Sequence, residues 1–581
     1  MINDKLNHIG GRDSKELRQS VLNRHRPIAY ALSADYVDVA RRNGYIKADQ
    51  RLKHLDNELF LGDQANRLYP SATEKEIKQW CSDRAHECET QFLRFYEVDA
   101  DAAMLGAKDF VESQGLEFPL DMQGRKTEDD KKLAWIEATA RLFDHKWWRR
   151  RVRTALNRKL ESVARDIRLV HADRGLYCSD ICLANRKRQK KRNADLLESL
   201  EAEDQDGNIF TLSELAAAGL SNPRNRFSEL VVRAKGFDQI AEMFGHEGRC
   251  FTLTCPSRFH CMIKGRNGRK CFRNKSFYEN EERLTPRDAQ DWLCRNWDNI
   301  RAKFSREEIR YYGYRVVEPH HDGCPHWHMS LYFNPDQADQ AESIIREWSL
   351  KDSPDEKGAE EKRVDSFVID PEQGATGYLV KYLTKNIDGA EGMDGELDYE
   401  SSEQQSLEID QTQARVEAWA SCWGIRQFQV LGGPSVTVWR ELRKLNPEQL
   451  EEIQQCLPEC EQLEDREAVD LNAIRQAADS ADWAAFVLLM GGVMVPKASY
   501  KLQAWRLAKP EENQYFEVVE QIKGVCFGLK NILTRFKVWE IRPKRRESEK
   551  AAQSAASWTR VNNCTGSDFF NEEIEGIWAY G

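Results

Sequence analysis

No stretch of eighteen apolar residues occurs in this 581-residue chain, which argues against a membrane-spanning helix. The opening MINDKLNHIGGRDSKELRQS contains no apolar block of the kind that drives secretion, so a cytoplasmic location is expected. No Gly-x4-Gly-Lys-Ser/Thr run is present, so no P-loop is available to power a helicase. No internal repeat of domain size is found. The fifteen cysteines are odd in number and scattered. In a long chain without a secretory leader they are expected to be reduced thiols rather than a disulfide framework.

Charge is plentiful but uneven. The formal net charge is −10, and 31% of residues are charged. Residues 141–200 nevertheless carry an excess of ten positive charges, densest in KWWRRRVR and NRKRQKKR. Residues 391–410 carry eight negative charges and no positive one. An acidic chain with such clusters remains compatible with nucleic-acid binding, although a basic run is equally often a solvated helix face.

The length allows two to four domains. Residues 1–220 have apolar positions at helical spacing, as in DDKKLAWIEATARLFDHKWWRRRVRTALNRKLESVARDIRLV, and are expected to be mainly helical. SNPRNRF, beginning at Ser221, is expected to be a linker. Over 221–390 the texture is mixed. RCFTLTCPS, RYYGYRVVEPH, HWHMSLYFN and RVDSFVID are strand-like, whereas DQADQAESIIREWSL and GATGYLVKYLTKNID are helical. The acidic stretch 391–410 is expected to be a loop. Residues 411–445 would supply a last strand and helix, and 446–581 a mainly helical region without a motif. The expected class is α+β, with a central antiparallel sheet flanked by helices between mainly helical ends.

Two constellations carry chemistry. The first lies in EPHHDGCPHWHMSLYF, residues 318–333. Asp322-Gly323 is a strong turn signal. If the flanking segments pair as a hairpin about it, Glu318 faces His326, and His328 projects to the same side two residues on. His320 shares that parity and is a spare candidate; His321 has the opposite parity. Two imidazoles and a carboxylate suit Zn2+ and, less ideally than an all-oxygen set, Mg2+ or Mn2+.

The second is YLVKYLTK, with Tyr378, Lys381, Tyr382 and Lys385. On a helix the two tyrosines lie one turn apart on one face, each beside a lysine. A phenol is a weak nucleophile near its ordinary pKa of about 10, and a neighbouring cation favours phenolate. Such a pair suits covalent attack on phosphorus. Taken alone, the spacing also fits core tyrosines and solvent lysines.

FTLTCP, EPHHDGCPHWHM and GYLVKYLTKN, in that order, resemble the three motifs of HUH endonucleases, and most closely the replication gene A proteins of tailed bacteriophages and prophages. The likeness spans about residues 225–390, with a weaker continuation in YCSDICLANRKRQKKR. It implies a central HUH strand with the tyrosine helix packed across the sheet. His326 and His328 match the HUH histidines, Glu318 the third metal ligand, and Tyr378 and Tyr382 the paired nucleophiles. The implied reaction is strand-specific DNA nicking with Mg2+ or Mn2+, a 5′-phosphotyrosine link, and later rejoining, which initiates rolling-circle replication. Lys381 and Lys385 would steady charge. The implied partners are origin DNA, single-stranded or extruded at the nick, and a host helicase and polymerase in the bacterial cytoplasm. Trp147, Trp148, Arg149, Arg150 and Arg151, the run at 186–192, and Arg258, Lys264, Arg266, Arg269 and Lys270 are the expected DNA contacts.

Other readings stand beside this one. An HUH transposase or relaxase would share the chemistry, although relaxases often place the tyrosine early. A non-catalytic zinc-stabilised DNA-binding protein could draw on Cys250, Cys255, His260, Cys261 and Cys271, or on Cys81, His86 and Cys88, although neither set has paired C-x2-C knuckles. A metallohydrolase would use hydroxide in place of tyrosine.

Overall fold

The structure is a computed structural model that describes residues 2–265, 270–280, 283–371, 374–378, 380, 403–445, 471–528 and 530–544. At its centre is a five-stranded sheet made of β1 (Glu247–Thr254), β2 (Tyr311–Pro319), β3 (Pro325–Phe333), β4 (Val364–Val368) and β5 (Phe428–Leu431). The strand order is β4-β1-β3-β2-β5, and every neighbouring pair is antiparallel. The middle strand β3 is buried along its whole length. β2 and β3 form the expected hairpin, with Glu318 opposite His326 and Val316 opposite His328.

Because side chains alternate across a strand, the sheet has two unlike faces. Trp327, Met329, Leu331 and Phe333 point one way. There they pack with Ala289, Leu293, Trp297 and Ile300 of α4 (Pro286–Arg306) and Ala338, Ala341, Ile344 and Ile345 of α5 (Pro335–Leu350). α4 starts cleanly: Thr285 and Asp288 form a capping box, and Pro286 occupies the first turn. On the other face Tyr312, Tyr314 and Tyr332 pack on Phe237 and Ile240 of α3 (Pro223–Phe244). The segment SNPRNRF at Ser221, expected as a linker, is instead the start of α3: Asn222 is its N-cap and Pro223 its first residue, so five of the seven residues are helical.

The N-terminal region is helical up to Ser199 and has two apolar cores of its own. Two of its helices reach toward the central sheet: α1 (His145–Asp166), capped by Asp144, and α2 (Asp180–Ser199), capped by Ser179.

Two further expectations need correction. The acidic stretch 391–410 is not a loop throughout: 403–410 open a helix, α6 (Glu403–Trp423), while 391–402 lie outside the described residues. A run such as EQQSLEIDQ consists mostly of good helix formers, and the helix continues into the buried Val416, Trp419 and Trp423. In the C-terminal region the helices Leu471–Asp479 and Trp483–Leu489 fit expectation, but from Gln503 the described residues form strands. Gln503–Glu512, Val518–Phe527 and Lys530–Leu533 make one antiparallel sheet, and Trp539–Pro543 pairs with Leu200–Asp204. Among the described residues no helix is long and apolar enough to cross a membrane.

Candidate active site

The turn between β2 and β3 is built tightly. Gly323 adopts φ +80°, and its N–H donates to the His320 carbonyl at 2.8 Å. A Cβ at this position would lie 2.8 Å from the Tyr177 carbonyl oxygen, so glycine is required. The Asp322 carboxylate is fully buried and accepts from the Cys324 and Met262 N–H groups, with His260 Nδ1 at 3.4 Å. Burial would raise this carboxyl, but His260 and Arg165 hold it far below the usual carboxylate range. Arg165, on α1, is itself buried. It donates to the carbonyls of Asp322 (3.2 Å), Leu284 (2.9 Å) and Phe259 (3.0 Å). One guanidinium thereby ties the N-terminal region to the turn and to the segment after β1.

From this turn β2 and β3 project Glu318, His326 and His328 together. Their ligand atoms all lie within 4.8 Å of one another. The two Nε2 atoms are 2.9 Å apart, and Glu318 Oε2 is 3.8 Å from His328 Nε2. Two nitrogens at right angles on a cation at about 2.1 Å would sit about 3.0 Å apart, so the two imidazoles fit neighbouring positions on a six-coordinate divalent ion. His328 Nδ1 faces away from this group. It lies 3.1 Å from Thr252 Oγ1 on β1 and 3.3 Å from the Tyr378 hydroxyl. A ligating imidazole is oriented by such a partner on its other nitrogen.

His320 does not converge on the group. Its ring stacks on His326 at 4.0 Å, and burial, with His260 adding to it, pushes its imidazole down to about 3. His321 gives its backbone carbonyl to the Tyr177 N–H. Among the described residues a second group of three potential ligands is His171, Asp173 and Cys271. There His171 Nδ1 already accepts the Asp173 N–H at 3.2 Å, and Asp173 is exposed, so the contact closes a loop. Cys81, Cys88, Cys250, Cys255 and Cys261 are buried and belong to neither group.

Tyr378 is half-buried on a helical segment that begins at Thr376, and its ring meets His328 edge-on at 6.2 Å. Lys381, Tyr382 and Lys385 lie outside the described residues, as do Arg266 and Arg269. Lys270 is exposed, and its carbonyl closes the short hairpin Met262–Arg273 by accepting the Gly265 N–H. The Tyr378 segment is anchored from α3, where Asp238 accepts the N–H groups of Ala375 and Thr376.

The expectation that Trp147 and Trp148 contact DNA needs correction. Both are buried, at 3% and 0% exposure, in the helical core with Val152 and Leu156. Trp148 Nε1 donates to the Leu142 carbonyl at 2.7 Å. Spacings of four along α1 put Trp148, Val152 and Leu156 on one stripe, which leaves Arg150 and Arg151 exposed and Arg149 partly covered. On α2, Arg186 and Lys190 pair with Glu417, whereas Lys187, Arg188, Lys191 and Arg192 lie further out. Arg258 is held by Asp352.

Residues 65–390 match the family profile described as bacteriophage replication gene A protein (GPA). The chain belongs to this family. The replication gene A protein of Escherichia phage 186 is 37% identical over 443 residues, covering 74% of this chain and 60% of that protein. Its counterpart from Escherichia phage P2 is 34% identical over 442 residues, covering 74% and 56%. A protein of Salmonella typhi named probable replication endonuclease from prophage-like region 1 is 29% identical over 440 residues, covering 74% and 53%. The chain thus spans between half and three fifths of the length of these relatives. No solved structure matches it.

Sequence reasoning missed Thr252, Arg165, Asp322 and Asp238. Thr252 stands inside FTLTCP, and only its register opposite His328 marks it out. Arg165 and Asp238 carry no local signal, and Asp322 was marked only as a turn residue, with nothing to show its buried carboxylate beside His260.

Proposed function

We propose that this chain is a DNA nicking-and-joining endonuclease that initiates rolling-circle replication of phage or prophage DNA. The reading rests chiefly on one observation: the Tyr378 hydroxyl lies 3.3 Å from the imidazole of His328, whose opposite nitrogen joins Glu318 and His326. Family membership and a relative named as a probable replication endonuclease support it.

Glu318, His326 and His328 would hold Mg2+ or Mn2+, which when bound supplies Lewis-acid stabilisation of a non-bridging oxygen of the scissile phosphate. Thr252 fixes the tautomer and tilt of His328. The Tyr378 phenol loses its proton to solvent and attacks phosphorus in line. The Tyr378 Oη–P bond forms, the P–O3′ bond breaks, and the 3′ oxygen takes up a proton. The DNA 5′ end stays on the tyrosine as a phosphodiester, which conserves the bond for rejoining. Tyr382, four residues on in the sequence, would attack the regenerated junction after one round, and Lys381 and Lys385 would steady the phosphate charge. The strand would enter single, as origin DNA extruded or unwound at the nick, with its backbone tracked by a basic groove. Arg150, Arg151, Lys187, Arg188, Lys191 and Arg192 would hold the flanking backbone, with Arg266, Arg269 and Lys270 beside the first motif. A host helicase and polymerase in the bacterial cytoplasm would complete the machinery.

The test uses supercoiled plasmids tiling the genome that encodes this chain, incubated with the protein and Mn2+. Nicked plasmid with protein fixed to its 5′ end is expected. Replacing Tyr378 and Tyr382 together by Phe should abolish covalent capture and leave Mn2+ binding intact. Nicking that survives the double replacement would point to a hydroxide mechanism and overturn the proposal.

A further inference from the structure

The segment that carries Tyr378 is tied to the sheet by a residue from a third element. Asp238 lies on α3, half-buried. Its Oδ1 accepts the Ala375 N–H at 3.0 Å, and its Oδ2 accepts the Thr376 N–H at 3.0 Å together with the Thr376 hydroxyl. Oδ1 also accepts the hydroxyl of Tyr332. Tyr332 is on β3, four residues past His328 and on the same face of the strand. Burial, then the neighbouring Tyr314 and Asp238, hold the Tyr332 phenol far above its usual range, so it remains a donor. Close by, the Tyr314 hydroxyl donates to the Ala375 carbonyl at 2.6 Å.

We propose that Asp238 is a positioning residue that sets the distance between the Glu318–His326–His328 group and the attacking phenol of Tyr378. This rests on the nicking function proposed above.

The first N–H groups of a helix lack partners within it, and a carboxylate there both satisfies them and complements the helix dipole. A residue within the helix's own chain usually does this. Here the cap comes from α3 and is bonded at the same time to the strand that bears the metal ligands. Thr376 is two residues before Tyr378, so its backbone fixes the turn from which the phenol projects. Gly374 allows the close approach: it adopts φ +64°, and a Cβ there would lie 2.6 Å from Asp238 Oδ2. None of the four hydrogen bonds that Asp238 accepts comes from Glu318, His326 or His328. Asp238 acts through the placement of another residue. Misplacement of a reacting group by about 1 Å costs on the order of 100-fold in rate.

The experiment places 3-fluorotyrosine at position 378 of the full chain and follows its 19F signal as Mn2+ is added. Paramagnetic broadening reports the distance between the ring and the ion. The wild-type signal should broaden strongly. In Asp238→Ala, which removes four hydrogen bonds, it should broaden much less. Single-turnover covalent nicking of the responsive plasmid should fall about 100-fold. Mn2+ affinity and plasmid affinity should not change. Asp238→Asn keeps one acceptor oxygen and should lose about tenfold, the equivalent of about 1.4 kcal/mol. Thr376→Val removes a single hydroxyl contact and serves if Asp238→Ala does not fold. Wild-type broadening together with wild-type nicking in Asp238→Asn and Thr376→Val would overturn the proposal. So would loss of nicking matched by equal loss of metal and DNA affinity. A wild-type signal indifferent to bound Mn2+ would instead overturn the functional reading beneath it, and this proposal with it.

Discussion

Replacing Arg165 by Met removes the buried guanidinium that joins α1 to the turn between β2 and β3, beside the candidate site. Its size is nearly kept, so the loss is mostly electrostatic. Three charge-assisted hydrogen bonds disappear, to the carbonyls of Asp322, Leu284 and Phe259. Each such bond is worth about 1.5–3 kcal/mol, and each buried carbonyl left unpaired costs about 1–3 kcal/mol if water cannot reach it. The Asp322 carboxylate also loses a nearby positive charge that helps to hold it ionised. Removing one partner of a buried charge pair typically costs about 3–5 kcal/mol. Because these contributions overlap, about 4 kcal/mol is expected for Arg165→Met. At about 2–4 °C per kcal/mol for a unit of 150–250 residues, the melting temperature should fall by roughly 10 °C. Thermal unfolding of the full chain, followed by near-ultraviolet circular dichroism, reads this directly. Hydrogen exchange should show lost protection at residues 257–264, 271–278 and 320–324 before any change in α4 or α5. Arg165→Lys keeps the charge but not the fork that reaches three carbonyls, and should recover less than half of the loss. A fall smaller than about 1 kcal/mol in Arg165→Met would refute the view that this residue braces the site.

Other substitutions separate the remaining parts. Thr252→Ala removes the hydroxyl beside His328 Nδ1 and should weaken Mn2+ binding by about 10–100-fold in calorimetry, as removal of outer partners does. Trp148→Ala should cost about 3–5 kcal/mol of stability in urea unfolding. The salt dependence of DNA binding by the folded variant should be unchanged, because the ring is in the core. Replacing Lys187, Arg188, Lys191 and Arg192 by Ala should flatten the plot of log affinity against log salt, by about 0.9 for each duplex phosphate that is no longer neutralised. Melting temperature should hardly move, since none of the four is buried.

The hairpin of the candidate site was legible where chemistry and backbone period coincide. Asp322-Gly323 marks the turn, and alternation then places Glu318 opposite His326, the register found in the sheet. The strands before and after it, α5, and the final strand and helix of this region could be traced for the same reason. The tryptophan pair was misjudged because a dense basic run masks an i, i+4 apolar stripe. The strands after Gln503 were missed because Gln503–Glu512 is mostly exposed, and the apolar residues of Val518–Phe527 are grouped at its ends and do not alternate with a period of two. The bracing residues could not be read at all. Arg165 meets carbonyls 94 to 157 positions away, and Asp238 meets Thr376 across 138. Contacts at such separations are made by the fold and leave no local pattern.

The most direct measurement is mass spectrometry of the DNA-linked peptide after the protein has nicked its plasmid in Mn2+ and the complex has been digested with nuclease and protease. A nucleotide phosphate on the peptide containing Tyr378 and Tyr382, joined through the 5′ end of the DNA, is the expected result. Nicked plasmid with no nucleotide on either tyrosine, or with the adduct on another residue, would contradict the account.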